Sequence, residues 1–229
     1  NSDNELKNLS SLKSNSRDIL SESIRMLNAN LNFRFFNKTN DQAKTVIVTS
    51  SVKGEGKTLV SASLSKVLSF DSKNKIILIG GDLRNPQLHK YLQIDKTDYL
   101  GVSDYISSNK YNWKDLIIKN DDLDIILSGT IPPNPTELLS SDKFTKFIND
   151  VKKEYDYVII DSAPCLLVSD TLQISKHADT SVYLVRANHS EKSVLSFIGD
   201  LNKENRLKNI NLVFNSVGSS SFYGYKYGY

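Results

Sequence analysis

The chain has 229 residues, 29 basic and 26 acidic side chains and 39% hydrophobic residues; that suits one α/β domain with its own core and gives no argument for a nucleic-acid partner. A single cysteine, Cys165, excludes an internal disulfide and a cysteine-rich metal site and fits a reducing compartment, while His89, His177 and His189 lie far apart without metal-ligand spacing. No apolar run approaches the roughly 18 residues of a membrane span and no signal peptide is visible; the polar opening at Asn1 reads as a piece of something longer.

In chain order, residues 1–15 read as a flexible lead. Leu20, Ile24, Leu27 and Leu31 then recur at helical spacing, which predicts an amphipathic helix between Ser16 and Phe36, followed by a polar linker to Lys44. Strands are predicted at Thr45–Thr49, Lys75–Ile79, Asp124–Leu127, Tyr157–Asp161, Ser181–Val185 and Asn211–Asn215. Most are near-continuous Ile/Val/Leu runs, the pattern of strands buried on both faces of a parallel sheet. Helices are predicted at Lys57–Phe70, Thr136–Leu139, Ser141–Glu154, Ser169–Lys176 and Glu191–Asn205, with Asn134-Pro135 as N-cap and first-turn proline of the second. The alternation argues for an open, doubly wound, mostly parallel α/β sheet over 45–217, with a biased tail at 218–229.

The segment Thr45-Val-Ile-Val-Thr-Ser-Ser-Val-Lys-Gly-Glu-Gly-Lys-Thr58 joins a buried strand to a helix through a glycine-containing loop. This is the layout of a P-loop. Gly54 and Gly56 let backbone N–H groups approach phosphate oxygens, and the helix that follows points its positive end at the same anion. Lys53, Gly54, Glu55, Gly56, Lys57, Thr58 and Leu59 form the candidate nucleotide loop; Lys57 reaches the β/γ-phosphates and Thr58 ligates Mg²⁺. Ser51 stands where the full pattern has its first glycine, and an ordinary strand–turn–helix corner is the bland alternative. Mg²⁺ asks for carboxylates at strand ends. Asp161 closes Tyr157-Val-Ile-Ile-Asp161, and Asp82 follows Ile76-Ile-Leu-Ile-Gly-Gly. Ligands of open α/β sheets sit at the carboxyl ends of strands, so Lys57, Asp82 and Asp161 are expected to converge. The alternative readings are that Asp161 and Asp82 only shape turns.

These motifs resemble the bacterial tyrosine kinases, the BY-kinase family, specifically the cytoplasmic domain of capsule or exopolysaccharide co-polymerases. The resemblance covers roughly residues 16–229 and rests on Gly54-Glu-Gly-Lys-Thr58, Asp82-Leu-Arg84-Asn-Pro86, Gly101-Val-Ser-Asp104, Ser128-Gly-Thr-Ile-Pro-Pro-Asn-Pro-Thr-Glu-Leu-Leu139 and Val158-Ile-Ile-Asp161-Ser-Ala-Pro164. Partitioning and septum-site ATPases look similar in fold but carry a lysine where Val52 stands, which favours the kinase branch. Two departures matter. The family's second Walker motif reads Asp-x-Asp, and here Gly80 takes the first position; its oligomerisation helix reads Glu-x-x-Arg-x-x-Arg, and here Glu22 and Arg25 are followed by Asn28. Glu22 and Arg25 also read as a plain surface pair.

The resemblance implies an ATP- and Mg²⁺-dependent protein-tyrosine kinase at the cytoplasmic face of the bacterial inner membrane. Its implied partners are further copies of itself in a ring, a membrane-spanning region of the same parent chain or a separate membrane activator, and a tyrosine phosphatase. Glu22 and Arg25 are the implied subunit contact, Arg84 an implied phosphate contact and Asn215 an implied base contact. Tyr223, Tyr225, Tyr227 and Tyr229 alternate with Gly and Lys at the end of the chain. With a P-loop present they read as autophosphorylation acceptors; without it, as a low-complexity tail or an edge strand. Two other functions stay open: an ATPase switch that drives assembly, and a catalytically weak ATP-binding module.

Overall fold

The computed structural model describes Leu12 and residues 18–35, 42–71 and 73–217. One seven-stranded sheet has the order β3-β4-β2-β5-β1-β6-β7. Its strands are β1 (Lys44–Ser50), β2 (Ile76–Gly80), β3 (Ile118–Asn120), β4 (Leu123–Ile126), β5 (Tyr157–Asp161), β6 (Thr180–Arg186) and β7 (Ile210–Asn215). All neighbours pair parallel except β3 with β4. The helices are α1 (Ile19–Arg34), α2 (Lys57–Ser69), α3 (Leu88–Tyr91), α4 (Val102–Ser107), α5 (Pro135–Ser140), α6 (Asp142–Val151), α7 (Asp170–Ser175) and α8 (Val194–Lys203).

Strand alternation divides the core between the two faces of the sheet. Val46, Val48, Ile76, Leu78, Ile125 and Ile159 pack on one side with Val60 and Leu64 of α2 and Ile24, Leu27 and Leu31 of α1. Ile47, Ile77, Ile79, Val158 and Ile160 pack on the other with Phe144, Phe147 and Ile148 of α6 and Ile174 of α7. The buried residues of α6, Phe144, Phe147, Ile148 and Val151, fall on one helical stripe. Ser141 caps that helix by accepting from the Phe144 amide at 3.2 Å. Asp18 does the same for α1, accepting from the Ser21 amide at 3.0 Å.

The structure departs from the sequence expectations at several places. β3 was not expected: three residues with one buried side chain carry too little pattern, and only pairing with β4 defines them. α3 and α4 are likewise too short for periodicity to reveal. α6 stops at Val151 rather than Glu154, and α8 starts at Val194 rather than Glu191. Asn134 holds the N-cap position of α5 but makes no capping bond; its amide donates instead to Glu137 Oε2 at 2.7 Å. Leu12, within the expected flexible lead, is buried among the α1–α2 core residues. The expected tail from Gly218, with Tyr223, Tyr225, Tyr227 and Tyr229, lies outside the described residues.

Candidate nucleotide site

β1 runs into the loop at Ser51, and α2 opens at Lys57, so the loop spans a buried strand and a buried helix. Gly56 precedes the helix at φ 100°, and a Cβ there would come within 2.2 Å of the Asn215 amide nitrogen. Backbone conformation and space both require glycine. Ser51, at the place of the first glycine in the full pattern, is fully buried, and its hydroxyl pairs with the Tyr183 hydroxyl at 2.8 Å. Glu55 also turns inward: one carboxylate oxygen accepts from the Val52 amide at 2.8 Å and the other from Ser190 Oγ. It stitches the loop rather than facing a phosphate. Leu59 packs into the core from the first turn of α2.

Asp161 is the centre of the site. Strand register sets it beside Val48 of β1 and Gly80 of β2, in the middle of the sheet. Its carboxylate accepts from Thr58 Oγ1 at 2.9 Å and from Ser61 Oγ at 3.1 Å. Burial pushes its carboxyl up to about 6, against the pull of Lys57 and Thr58. Lys57 is itself nearly buried at the start of α2. Asp82 follows β2, close enough for its charge to add to the rise at Asp161. Its Oδ1 accepts from the amides of Arg84 at 3.1 Å and Asn85 at 2.9 Å, so it also builds its own turn.

The fold therefore brings Lys57, Thr58, Asp82 and Asp161 together, and Asn215 onto the loop. It places Arg84 differently. The guanidinium is bidentate to Asp170, at 2.7 and 3.1 Å, and donates to Thr136 Oγ1 at 3.0 Å. Thr136 in turn donates to Asp170 at 2.5 Å. Asp170 is fully buried, and its hydrogen bond holds Arg84 above the ordinary guanidinium range. Two sequence motifs, Asp82–Pro86 and Ser128–Leu139, are thus tied through one carboxylate. Glu22 and Arg25 pair at 2.6 Å on an exposed face of α1, apart from the loop.

Gly80 has a packing reason. A Cβ there would lie 2.5 Å from Ser128 Oγ and 2.8 Å from the Ser128 amide nitrogen. The β2–β4 contact is too close for a side chain at that register unless Ser128 moves. The neighbouring loop is fastened by Asp104, which accepts from the amides of Gly101 at 2.8 Å and Thr130 at 3.2 Å, and by Ser103 Oγ, which donates to the Thr130 carbonyl. The Gly101-Val-Ser-Asp104 motif thereby shapes the proline-rich segment after β4.

Sequence reasoning missed Ser61, Thr136, Asp170, Tyr183, Arg186, His189 and Ser190. Ser61 was findable, because it sits one helical turn beyond Lys57 and Thr58, on the Asp161 side. Thr136 lay inside the quoted Ser128–Leu139 motif without a marked role; the rest act across the fold and carry no local pattern. The residues present suit a Mg²⁺-bound triphosphate. The loop carries free amide donors, a glycine leaves room for close approach, and a hydroxyl sits beside a buried carboxylate. Among the described residues no group of three or more His, Cys, Asp or Glu side chains makes a metal site without substrate.

An AAA domain family, AAA_31, matches residues 43–212. A putative tyrosine-protein kinase in the cps region of Klebsiella pneumoniae is 35% identical over 75% of the chain, which spans only 23% of that relative. The tyrosine-protein kinase YwqD of Bacillus subtilis is 33% identical over 77% of the chain and 72% of its own length. The crystal structure of the chimerical protein CapA2B2 superposes with a TM-score of 0.79 at 27% identity, covering 89% of this chain and 87% of that one. A putative plasmid partition protein of Borrelia burgdorferi matches with a TM-score of 0.62 at 22% identity over 77% of this chain and 76% of that one, and shares the fold alone. With a P-loop, a buried strand-end aspartate and these relatives, the chain belongs to the bacterial tyrosine-protein kinases of capsule and exopolysaccharide systems, within the AAA-domain P-loop proteins.

Proposed function

We propose that the chain transfers the γ-phosphoryl group of ATP to Tyr223, Tyr225, Tyr227 and Tyr229 of a neighbouring copy, and thereby regulates polysaccharide polymerisation or export. The observation that carries this reading is the Lys57–Thr58–Asp161 cluster under the loop, in a chain whose relatives are named tyrosine kinases. Lys57 and the loop amides stabilise the β/γ-phosphates. Thr58, Asp82 and Asp161 are the residues that would hold Mg²⁺, directly or through water. The ion would supply charge neutralisation on the phosphate oxygens. The tyrosine oxygen forms a bond to the γ-phosphorus as the bond to the β-bridging oxygen breaks, and ADP leaves. A tyrosine hydroxyl has a reference pKa of about 10, so its proton passes to a nearby carboxylate, for which Asp82 is the candidate. Ile131, Leu166 and Leu167 are exposed on the loops that leave β4 and β5, and offer an apolar rim to an incoming ring.

Assembly between copies is supported by α1 and β7. Ile19, Met26 and Phe33 of α1 and Leu212 and Phe214 of β7 are exposed, and part of this face is a groove of about 700 Å³. Such an apolar face suits a subunit contact, with Glu22 and Arg25 at its edge. A membrane partner at the cytoplasmic face of the inner membrane belongs to the same reading, as the family resemblance implies. No described helix is long and apolar enough to cross a membrane.

Mass spectrometry of purified protein after ATP·Mg²⁺, beside Lys57→Met, tests the reading. Phosphate on Tyr223–Tyr229 in the wild type alone is expected; an unmodified cluster overturns it. The Gly80 packing favours a second reading, an ATPase switch of the partition type, because it closes the place of a carboxylate the family uses. Free phosphate released over an unmodified cluster is its signature.

A further inference from the structure

Three consecutive carbonyls of the loop are each gripped by a different side chain from the carboxyl ends of β6 and β7 and the turn after β6. Lys53 O accepts from His189 Nε2 at 2.9 Å, Gly54 O from Arg186 Nη1 at 2.6 Å and Glu55 O from Asn215 Nδ2 at 2.8 Å. A carbonyl only accepts, so the proton of His189 is on Nε2. All peptide bonds described are trans. In a trans peptide the C=O of one residue and the N–H of the next point in opposite directions. Holding the carbonyls of residues 53, 54 and 55 on one side therefore turns the amides of Gly54, Glu55 and Gly56 to the other. These three amides make no hydrogen bond among the described residues.

The gripping residues are themselves fixed. The Arg186 amide donates to Ser190 Oγ at 2.8 Å, and the His189 and Ser190 amides return to the Arg186 carbonyl at 3.2 and 3.0 Å. The Ala187 amide donates to the Asn215 carbonyl at 3.0 Å, joining the ends of β6 and β7. Ser190 completes the contact through Glu55. The donors thus stand on one hydrogen-bonded unit at the ends of β6 and β7, which also reaches the loop through Tyr183 and Ser190.

We propose that His189, Arg186 and Asn215 are positioning residues that clamp the loop's carbonyls and hold its amides preformed for a triphosphate. The proposal rests on the phosphate-binding reading of the loop. A flexible loop would have to be ordered by the ligand, and that ordering lowers affinity. The clamp shifts the cost onto folding. It acts on ground state and transition state alike, so its loss raises KM and leaves kcat at saturation nearly unchanged.

The test measures ATP·Mg²⁺ binding by titration calorimetry on the full chain, with KM, kcat and the nucleotide-free thermal midpoint beside it. Arg186→Ala and Asn215→Ala should each weaken binding by about tenfold, the scale of one lost charge-assisted or buried hydrogen bond. Arg186→Lys should recover most of the loss, because Gly54 O needs a single donor. His189→Gln keeps an N–H donor at similar reach and should bind better than His189→Ala. The thermal midpoint without nucleotide should stay close to that of the wild type. Equal affinity in wild type, Arg186→Ala and Asn215→Ala overturns the clamp and leaves the loop's role intact. A loss matched by a fallen nucleotide-free midpoint and fallen kcat, without rescue by lysine, also overturns it. A wild-type protein that binds no ATP, or binds it no better than Lys57→Met, overturns the phosphate-binding reading and the clamp with it.

Discussion

On the β6–β7 side of Asp161, side chains reach across to grip the loop's carbonyls and leave its amides open. On the β2–β4 side, the polar groups satisfy one another. Asp82 caps its own turn, Arg84 is bidentate to Asp170, and Ser128 fills the space above Gly80. Both sides are well ordered, yet they are ordered for different ends. The first presents unused donors to an anion; on the second, Arg84 is already paired with Asp170, and Asp82 is bonded through Oδ1 to its own turn. Binding and transfer are expected to respond separately to mutation.

The largest effect belongs to the residue both sides share. Lys57→Met should lower phosphotransfer by about 10²–10³-fold, the scale of removing one preorganised charge-stabilising donor, as read by labelled-ATP incorporation. Arg84→Ala should act on the paired side. It leaves the buried Asp170 carboxylate with Thr136 as its remaining side-chain partner, and should cost about 2–3 kcal/mol by urea unfolding. That is the range for a broken buried pair, discounted because Arg84 is partly exposed. Its ATP affinity should move much less than that of Arg186→Ala; an equal loss in the two variants would erase the distinction between the sides. Gly80→Ala should cost about 1–3 kcal/mol through overpacking against Ser128. Ser128→Gly in the same protein should recover part of this, since the backbone nitrogen at 2.8 Å remains. The smallest effect is at α1. Glu22→Ala should change the stability of a single copy by a few tenths of a kcal/mol, the worth of a helical surface pair. Sedimentation velocity reads its effect on assembly; an unchanged distribution of species would remove Glu22 from the subunit contact.

The sequence carried the central strands and the nucleotide loop because their signals are local. Val46–Val48, Ile76–Ile79 and Val158–Ile160 are unbroken apolar runs, and Gly54–Thr58 is a contiguous motif. β3 escaped because three edge residues have no period of their own. The clamp escaped for a different reason. Arg186 and Gly54 are 132 residues apart, Asn215 and Glu55 160 apart. Their bonds end on backbone carbonyls, which every residue has, so no residue type in the loop marks them. Asn215 was expected to face a base. The structure gives its amide to the loop, at the position where a side chain on Gly56 would stand. Arg84 was legible as part of a motif, but not its partner, since a buried aspartate 86 residues away looks like any helix-opening acid.

The trans peptides between Lys53 and Gly56 have a further consequence, in time rather than affinity. A loop already in shape has no rearrangement to complete between encounter and capture. Association then runs at the rate of productive collision, and differences in affinity between nucleotides fall on dissociation. How long ADP lingers after a transfer would be decided by the breaking of phosphate contacts, with no slow loop opening ahead of it.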